Sequence, residues 1–179
     1  MKSRTLILGG ARSGKSSYAE KLAAEAGPNV LYVATAEAKD DDMAERIANH
    51  QRERPASWQT IETPLAVSPA LESLSQAPDL ILLDCLTLLV SNILLSLEEE
   101  PQAVIEQHIA QEISAIIAAQ ERLNTALIIV SNEVGLGLVP PYPLGRIYRD
   151  LLGRANQQLA AQADQVLFMV AGLPMTVKG

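Results

Sequence analysis

The sequence predicts one α/β domain over residues 1–179, with a mostly parallel sheet and helices on both faces. Short runs of β-branched and aliphatic residues alternate with longer stretches of helical periodicity, which is the pattern of β-α-β units. Each run is almost entirely apolar, as expected of strands that are covered on both sides. The first run leads into the glycine-rich segment GGARSGKS, which is typical of a phosphate-binding loop that opens a helix.

The individual elements follow from this alternation. Strands are expected near residues 5–8, 30–34, 80–84, 127–131 and 166–170, and helices around residues 15–26, 41–52, 66–75, 102–122 and 144–163. A segment with two prolines, residues 54–64, reads as a loop with one short strand at 59–61. In the long helix an apolar stripe recurs near helical spacing and predicts a buried face: Val104, Ile105, Ile109, Ile113, Ile116 and Ile117.

Residues 86–97, LTLLVSNILLSL, are apolar almost all round. A helix without a polar face is usually buried in a large core or in a subunit interface. Because the domain is small, we expect that its own core does not bury this helix completely. We therefore expect residues 86–97 to take part in oligomerisation.

Composition excludes several classes of protein. The formal net charge is −7 and the calculated pI is 4.8, which argues against a nucleic-acid partner. Cys85 is the one cysteine, so neither an internal disulfide nor a cysteine-rich metal site is possible. The apolar runs are shorter than the ~18 residues of a membrane span, and residues 6–8 are too short for a signal peptide. We expect a cytoplasmic protein.

The segment that opens the first helix fits the P-loop pattern G-x-x-x-x-G-K-[S/T] with Gly9, Gly14, Lys15 and Ser16. Glycines let backbone N–H groups close around phosphate oxygens, and the helix presents its positive end to the same anion. Lys15 is expected to reach the β- and γ-phosphates of ATP or GTP. The Ser16 hydroxyl is expected to bind Mg²⁺.

The strand at 80–84 ends in an acid, Asp84. Four apolar residues followed by an aspartate resemble a Walker B segment, whose carboxylate completes the magnesium site of a P-loop protein. The alternative is an aspartate that caps the next helix. The presence of the P-loop favours the first interpretation.

His50 lies in the second predicted helix, close to Arg46, Arg52 and Arg54. A single histidine on a helix face is more often a core residue. However, three guanidinium groups in an acidic chain favour a phosphate site, beside which a neutral imidazole can attack an α-phosphate. His108 is expected at the surface and Cys85 in the core, and Trp58 either packs in its loop or stacks beside the nucleotide.

Residues 131–140, SNEVGLGLVP, follow the fourth strand of the main sheet. Ligands of open α/β sheets bind at the carboxyl ends of the strands, so Glu133 and the two glycines of this segment are expected near the site.

Three other functions compete with a nucleotide-dependent transferase: a plain small-molecule kinase with a structural His50, a GTPase switch, and a RecA-like DNA motor. The chain has no N-K-x-D motif, and Asp84 is followed by Cys-Leu-Thr rather than by D-x-x-G. These features disfavour the switch. The acidic balance disfavours the DNA motor.

Taken in order along the chain, five segments resemble the bifunctional adenosylcobinamide kinase/adenosylcobinamide-phosphate guanylyltransferase family. They are GGARSGKS, LYVATAEAKDDDMAERIANHQRERPASWQTIE, LLDCLTLLVSN, SNEVGLGLVP and GRIYRDLLGRANQQLAAQADQV. The resemblance covers nearly the whole chain, and its R-I-x-x-H-x-x-x-R-P-x-x-W block is more diagnostic than the P-loop. Leu89 departs from the family, in which many relatives carry tryptophan.

The resemblance implies a RecA-like P-loop core, a homotrimer, Mg²⁺, and two reactions with ATP or GTP as donors. His50 would be the guanylylated residue, with Lys15 as the second catalytic residue. The nucleotide or its metal would be contacted by Gly9, Gly10, Ala11, Arg12, Ser13, Gly14, Lys15, Ser16, Ala34, Thr35, Ala36, Gln51, Arg52, Glu53, Arg54, Glu62 and Asp84, with Ser16 and Asp84 as the metal ligands. The partners would be GTP, ATP, adenosylcobinamide and adenosylcobinamide phosphate, with no nucleic acid and no membrane span.

Overall fold

The computed structural model describes residues 2–37, 52 and 54–179. Among the described residues, seven strands and five helices follow in the order β1 (Arg4–Gly9), α1 (Lys15–Ala26), β2 (Val30–Ala34), β3 (Gln59–Glu62), α2 (Val67–Glu72), β4 (Leu80–Asp84), α3 (Leu86–Ser96), α4 (Gln102–Leu123), β5 (Ala126–Val130), α5 (Pro143–Gln162), β6 (Gln165–Val170) and β7 (Leu173–Lys178). The helix α2 has six residues, and each of the other four has eleven or more.

The strands form one sheet in the order β3-β2-β4-β5-β1-β6-β7. All neighbouring pairs are parallel except β6 and β7, which are antiparallel. The alternation of side chains divides the core into two layers. Leu80 and Leu82 of β4 face the layer under α1, whereas Ile81 and Leu83 face the larger layer that includes α2 to α5.

The predicted strands are confirmed, including the short one at 59–61, which extends to Glu62. The helix expected at 66–75 is shorter and spans Val67–Glu72. The isoleucines of the predicted stripe in the long helix are buried as expected, whereas Val104 is half-buried in the first turn. The helix expected at residues 41–52 lies, apart from Arg52, outside the described residues.

Strand β7 was not predicted. It follows β6 through a two-residue turn, in which Ala171 and Gly172 both have positive φ angles of 51° and 82°. Such turns match the twist of antiparallel strands. Pro174 weakens the strand signal in the sequence, but the β7 edge is where a proline is tolerated in a sheet.

The environment of α3 corrects one expectation. The small domain does hide this helix: Leu86, Leu89 and Val90 are at most 1% exposed and belong to the core between the sheet and the outer helices. Leu95 is its exposed large apolar residue, at 43%. The absence of a polar face therefore reflects burial in the subunit's own core, and Leu89 packs in that core.

In the described part of the chain, no helix is both long enough and apolar enough to span a membrane.

Candidate active site

The P-loop leaves the carboxyl end of β1 in a tight turn that requires its glycines. Gly9 has a φ of 155°, and a Cβ on it would lie 2.6 Å from Ser13 Oγ and 2.7 Å from the Met169 carbonyl oxygen. Gly14 has a left-handed φ of 92° and precedes α1 without a capping side chain. The first N–H groups of α1 are therefore left for a ligand, which is the arrangement that binds phosphate.

Lys15 and Ser16 begin α1 beside this loop. Lys15 is 8% exposed, and its Nζ donates a hydrogen bond of 2.7 Å to the Gly10 carbonyl oxygen, so the ammonium lies against the loop. Ser16 is half-buried in the first turn of α1, and the N–H of Tyr18 closes that turn on Gly14 at 3.0 Å. Of the other predicted loop residues, Gly10, Ala11 and Arg12 are exposed and Ser13 is half-buried.

Two neighbouring segments hold the P-loop in place. The Gly172 N–H donates to the Ser13 carbonyl at 3.0 Å, so the β6–β7 turn packs against the loop. The Glu133 N–H donates to the Gly9 carbonyl at 3.1 Å, which confirms the expectation that Glu133 lies near the site. The Glu133 carboxylate itself accepts the N–H groups of Gly135 and Leu136.

Asp84 ends β4 at the same edge of the sheet. Its register partners are Ala34 on one side and Val130 on the other, and Val130 pairs in turn with Ile7 of the P-loop strand. One carboxylate oxygen accepts a 2.8 Å hydrogen bond from the Tyr32 hydroxyl. Helix α3 begins after Cys85 without a side-chain cap, so Asp84 does not act as its cap.

Tyr32 contacts both Asp84 and Arg54. The Arg54 guanidinium carbon lies 3.3 Å from the centre of the Tyr32 ring, a cation–π contact. Burial, together with the negative charge of Asp84, raises the pKa of Tyr32. The hydroxyl therefore stays protonated at neutral pH and remains a hydrogen-bond donor to the carboxylate.

Thr35, predicted to line the nucleotide site, is fully buried. Its Oγ1 donates to the Cys85 carbonyl at 2.7 Å and accepts from the Cys85 N–H at 2.9 Å. Asn92 of α3 donates to the Thr35 carbonyl at 3.0 Å. These contacts fix the end of β2 to the end of β4, with the half-buried Ala34 and Ala36 on either side.

The R-P-x-x-W part of the family block forms one wall of a cleft. Arg54, Pro55, Trp58 and Glu62 are among the residues that line it, and its volume is about 350 Å³. Trp58 also packs against the apolar layer that contains Tyr32, so it contributes both to packing and to the cleft. Arg52 and Glu62 are exposed. His50, Gln51, Glu53 and Arg46 lie outside the described residues.

His108 has the surroundings expected of it, whereas Cys85 is half-buried at the edge of the core rather than fully inside it. Burial raises the pKa of the Cys85 thiol to about 11, so it is uncharged at neutral pH and packs beside the Tyr32 layer. His108 is exposed on α4, with Nδ1 3.2 Å from the Val104 carbonyl oxygen.

The donors at this edge suit a hard cation. A serine hydroxyl and one aspartate carboxylate are oxygen ligands, and Mg²⁺ is commonly held by one or two carboxylates together with substrate phosphates. Within the described residues no cluster of three His, Cys, Asp or Glu side chains could hold a metal by itself. Ser16 and Asp84 therefore fit a Mg²⁺ site that a bound triphosphate would complete.

Comparison with known proteins decides the family. A sequence model of the family "Cobinamide kinase / cobinamide phosphate guanyltransferase" matches residues 5–177. This chain belongs to that family. It is 48% identical to the bifunctional adenosylcobalamin biosynthesis protein CobP of Pseudomonas aeruginosa, over 98% of each chain. It is 44% identical to the bifunctional protein CobU of Salmonella typhimurium, over 97% of this chain and 98% of the relative.

The fold comparison agrees with the predicted RecA-like core. The crystal structure of the RadB recombinase superimposes with a TM-score of 0.53, covering 93% of this chain and 73% of the recombinase. At 14% identity this likeness concerns the fold alone. The family membership identifies the chain as an enzyme that acts as a cobinamide kinase and cobinamide phosphate guanylyltransferase.

Sequence reasoning missed two parts of the site. Tyr32 is the one aromatic residue in the otherwise aliphatic strand VLYVA, and a buried tyrosine usually has a partner for its hydroxyl. That signal was available, but its partner is 52 residues away in the chain. The contact of Gly172 with Ser13 depends on the unpredicted β7 turn.

Replacing Thr35 with valine should destabilise the fold by about 1–3 kcal/mol, because the substitution leaves the Cys85 N–H and carbonyl without this hydrogen-bond partner. Thr176→Val on the exposed strand β7 is the matched control and should change stability by about 0.5 kcal/mol or less. Urea unfolding, followed by circular dichroism, measures both. Equal stabilities of the two variants would contradict a structural role for the Thr35 hydroxyl.

Proposed function

We propose that the P-loop supports two successive reactions of adenosylcobinamide. In the first, the aminopropanol hydroxyl attacks the γ-phosphorus of ATP or GTP and the nucleoside diphosphate leaves. In the second, His50 attacks the α-phosphorus of GTP and pyrophosphate leaves. The phosphate of adenosylcobinamide phosphate then attacks the guanylylated histidine, which gives adenosylcobinamide-GDP and frees the imidazole.

The observation that carries this proposal is the P-loop of a family member, with its lysine buried against the loop. Lys15 would leave the Gly10 carbonyl to bind phosphate oxygens, and it would stabilise negative charge in both transition states. Ser13 Oγ supports the same assignment, because it is buried in the loop without a hydrogen-bond partner among the described residues. A phosphate oxygen would supply that partner.

Ser16 and Asp84 would hold Mg²⁺, which when bound neutralises charge on the phosphates. Tyr32 would orient Asp84 by donating to one carboxylate oxygen, leaving the other oxygen available. Arg54, stacked on Tyr32, supports a phosphate-binding role for the family block, since its Nε is buried without a hydrogen-bond partner within the described chain.

The net charge of −7 supports small-molecule rather than nucleic-acid partners. We place the two reactions in the cytoplasm, on the basis of the expectation from the sequence.

Replacing Tyr32 with phenylalanine should lower the affinity for the Mg²⁺ that supports GTP binding. Loss of one hydrogen bond of about 1 kcal/mol predicts a roughly fivefold higher Mg²⁺ concentration at half-saturation. Equilibrium dialysis of labelled GTP across a Mg²⁺ series measures this without turnover. Tyr148→Phe is the control, because it removes a partly buried hydroxyl that donates to the Thr87 carbonyl at 3.3 Å. An unchanged Mg²⁺ midpoint in Tyr32→Phe would show that the hydroxyl does not position Asp84.

Label from α-labelled GTP should remain on the wild-type protein through alkaline treatment and be lost in acid, since a phosphoramidate bond has this stability. Label from γ-labelled GTP should not remain. His50→Ala should take up no α-label but should keep at least part of the kinase activity, because attack on the γ-phosphorus does not use this imidazole. His108→Ala should label normally, since His108 is exposed on α4.

Lys15→Ala should lose most of both activities. Labelling of His50→Ala would identify another nucleophile. A wild type that never acquires the label would instead favour the plain small-molecule kinase.

We also propose a homotrimer, in which residues 86–97 are at or near the interface through the exposed Leu95 rather than through the side chains of α3 that are buried in the subunit's own core. The family resemblance supports it, and so do two apolar surfaces of the subunit: Leu95 on α3, and the outer strand β7 with Leu173, Met175 and Val177, which are 57–70% exposed. Sedimentation equilibrium should give about three times the subunit mass of 19.2 kDa. Leu95→Asp and Val177→Asp would show which surface associates, and a stable monomer of the wild type would contradict the trimer.

A further inference from the structure

The segment between β5 and α5, together with the first turn of α5, exposes large apolar side chains to solvent. We call this surface the apolar loop; its members are Leu136, Leu138, Val139, Tyr142 and Leu144, with exposed fractions of 83%, 96%, 61%, 61% and 39%. Single exposed apolar residues are common on proteins, but a run of five within nine residues is a feature of binding surfaces.

The apolar loop is held by polar contacts at both ends. At its start the Glu133 carboxylate accepts the N–H groups of Gly135 and Leu136 at 2.8 and 3.0 Å. At its end the Arg146 guanidinium donates to the carbonyls of Pro140 and Pro141 at 3.1 and 2.9 Å. The chain thus stabilises a conformation in which apolar side chains face water. Folding alone gives no reason for this exposure, since burying these side chains would be favourable.

The position of the loop indicates what it binds. The Glu133 N–H is bonded to the Gly9 carbonyl, so the apolar loop starts at the first residue of the P-loop. Behind it, Asn132 is fixed to α3 and α5 by hydrogen bonds with Thr87 Oγ1 and the Asn156 side chain, at 2.7 and 3.0 Å. A molecule on this surface therefore lies next to a bound triphosphate, and the start of the surface is tied to the P-loop and to α3 and α5.

Cobinamide, the family's acceptor, has the chemistry to cover this surface. Its corrin ring is a broad macrocycle whose edge carries methyl groups between amide arms, and the reacting hydroxyl lies at the end of one such arm. The hydroxyl must reach the P-loop while the ring, which is too large for the loop, rests beside it. We infer that the apolar loop is the docking surface for the corrin ring of the acceptor. The inference rests on the proposed chemistry at the P-loop.

Binding of the acceptor can be measured without turnover, because cobinamide is coloured. In equilibrium dialysis, Leu138→Asp and Val139→Asp should raise the Kd for cobinamide about tenfold or more, since each removes apolar contact and would desolvate a carboxylate against the apolar edge of the ring. The conservative variants Leu138→Met and Val139→Ile should bind within about twofold of the wild type. The Kd for GTP should be unchanged in all four variants and is the internal control for the P-loop.

Sedimentation equilibrium of the same variants tests whether a second copy of the chain, rather than the corrin ring, covers the apolar loop. We expect both aspartate variants to keep the wild-type mass. A lower mass would overturn the inference and assign the apolar loop to the subunit interface, and an unchanged Kd for cobinamide would overturn it as well. Because dialysis needs no phosphate transfer, these results are independent of the labelling of His50, and failure of either proposal is recognisable separately.

Discussion

The parallel arrangement of six strands is the constraint on which the site depends. Parallel strands end at the same edge of a sheet, so every segment that leaves a carboxyl end is brought to one side of the molecule. The P-loop after β1, Asp84 at the end of β4 and Glu133 after β5 come from distant parts of the chain and meet there. The antiparallel β7 adds to the same edge, because its turn from β6 places Gly172 against Ser13.

Local patterns in the sequence were sufficient to predict the parts of the fold that local physics determines. The aliphatic strands, the P-loop and the isoleucine stripe of α4 are each defined within a few residues, and all are found. The burial of α3 was not predictable in this way, because it depends on how many helices cover one face of the sheet. The larger core layer draws on α2 to α5, and together they enclose Leu89 and Val90.

The same distinction applies to the site. The motif identifies Lys15 and Asp84, but the contacts of Tyr32 with Asp84 and Arg54 join residues that are far apart in sequence. Thr35 shows the converse case. The resemblance gives it a place in the nucleotide site, while the structure engages its hydroxyl with the backbone of Cys85. A residue at the site can therefore act by fixing the strands on which other residues are carried.

Two reactions at one P-loop impose a geometric requirement that the apolar loop would meet. Under our proposal the corrinoid first attacks the γ-phosphorus of the donor with its hydroxyl. After phosphorylation it attacks the phosphorus of the GMP group on His50, so the same corrinoid arm is the acceptor in both reactions. A ring held on a surface fixed to Gly9 keeps its side arm at the carboxyl edge in both steps. The chain then needs to reposition only the phosphoryl or guanylyl group. The ring would not need to dissociate between the two reactions, because its largest contacts are with a surface that takes no part in the chemistry. The reacting arm would then keep a high effective concentration at the P-loop in both steps.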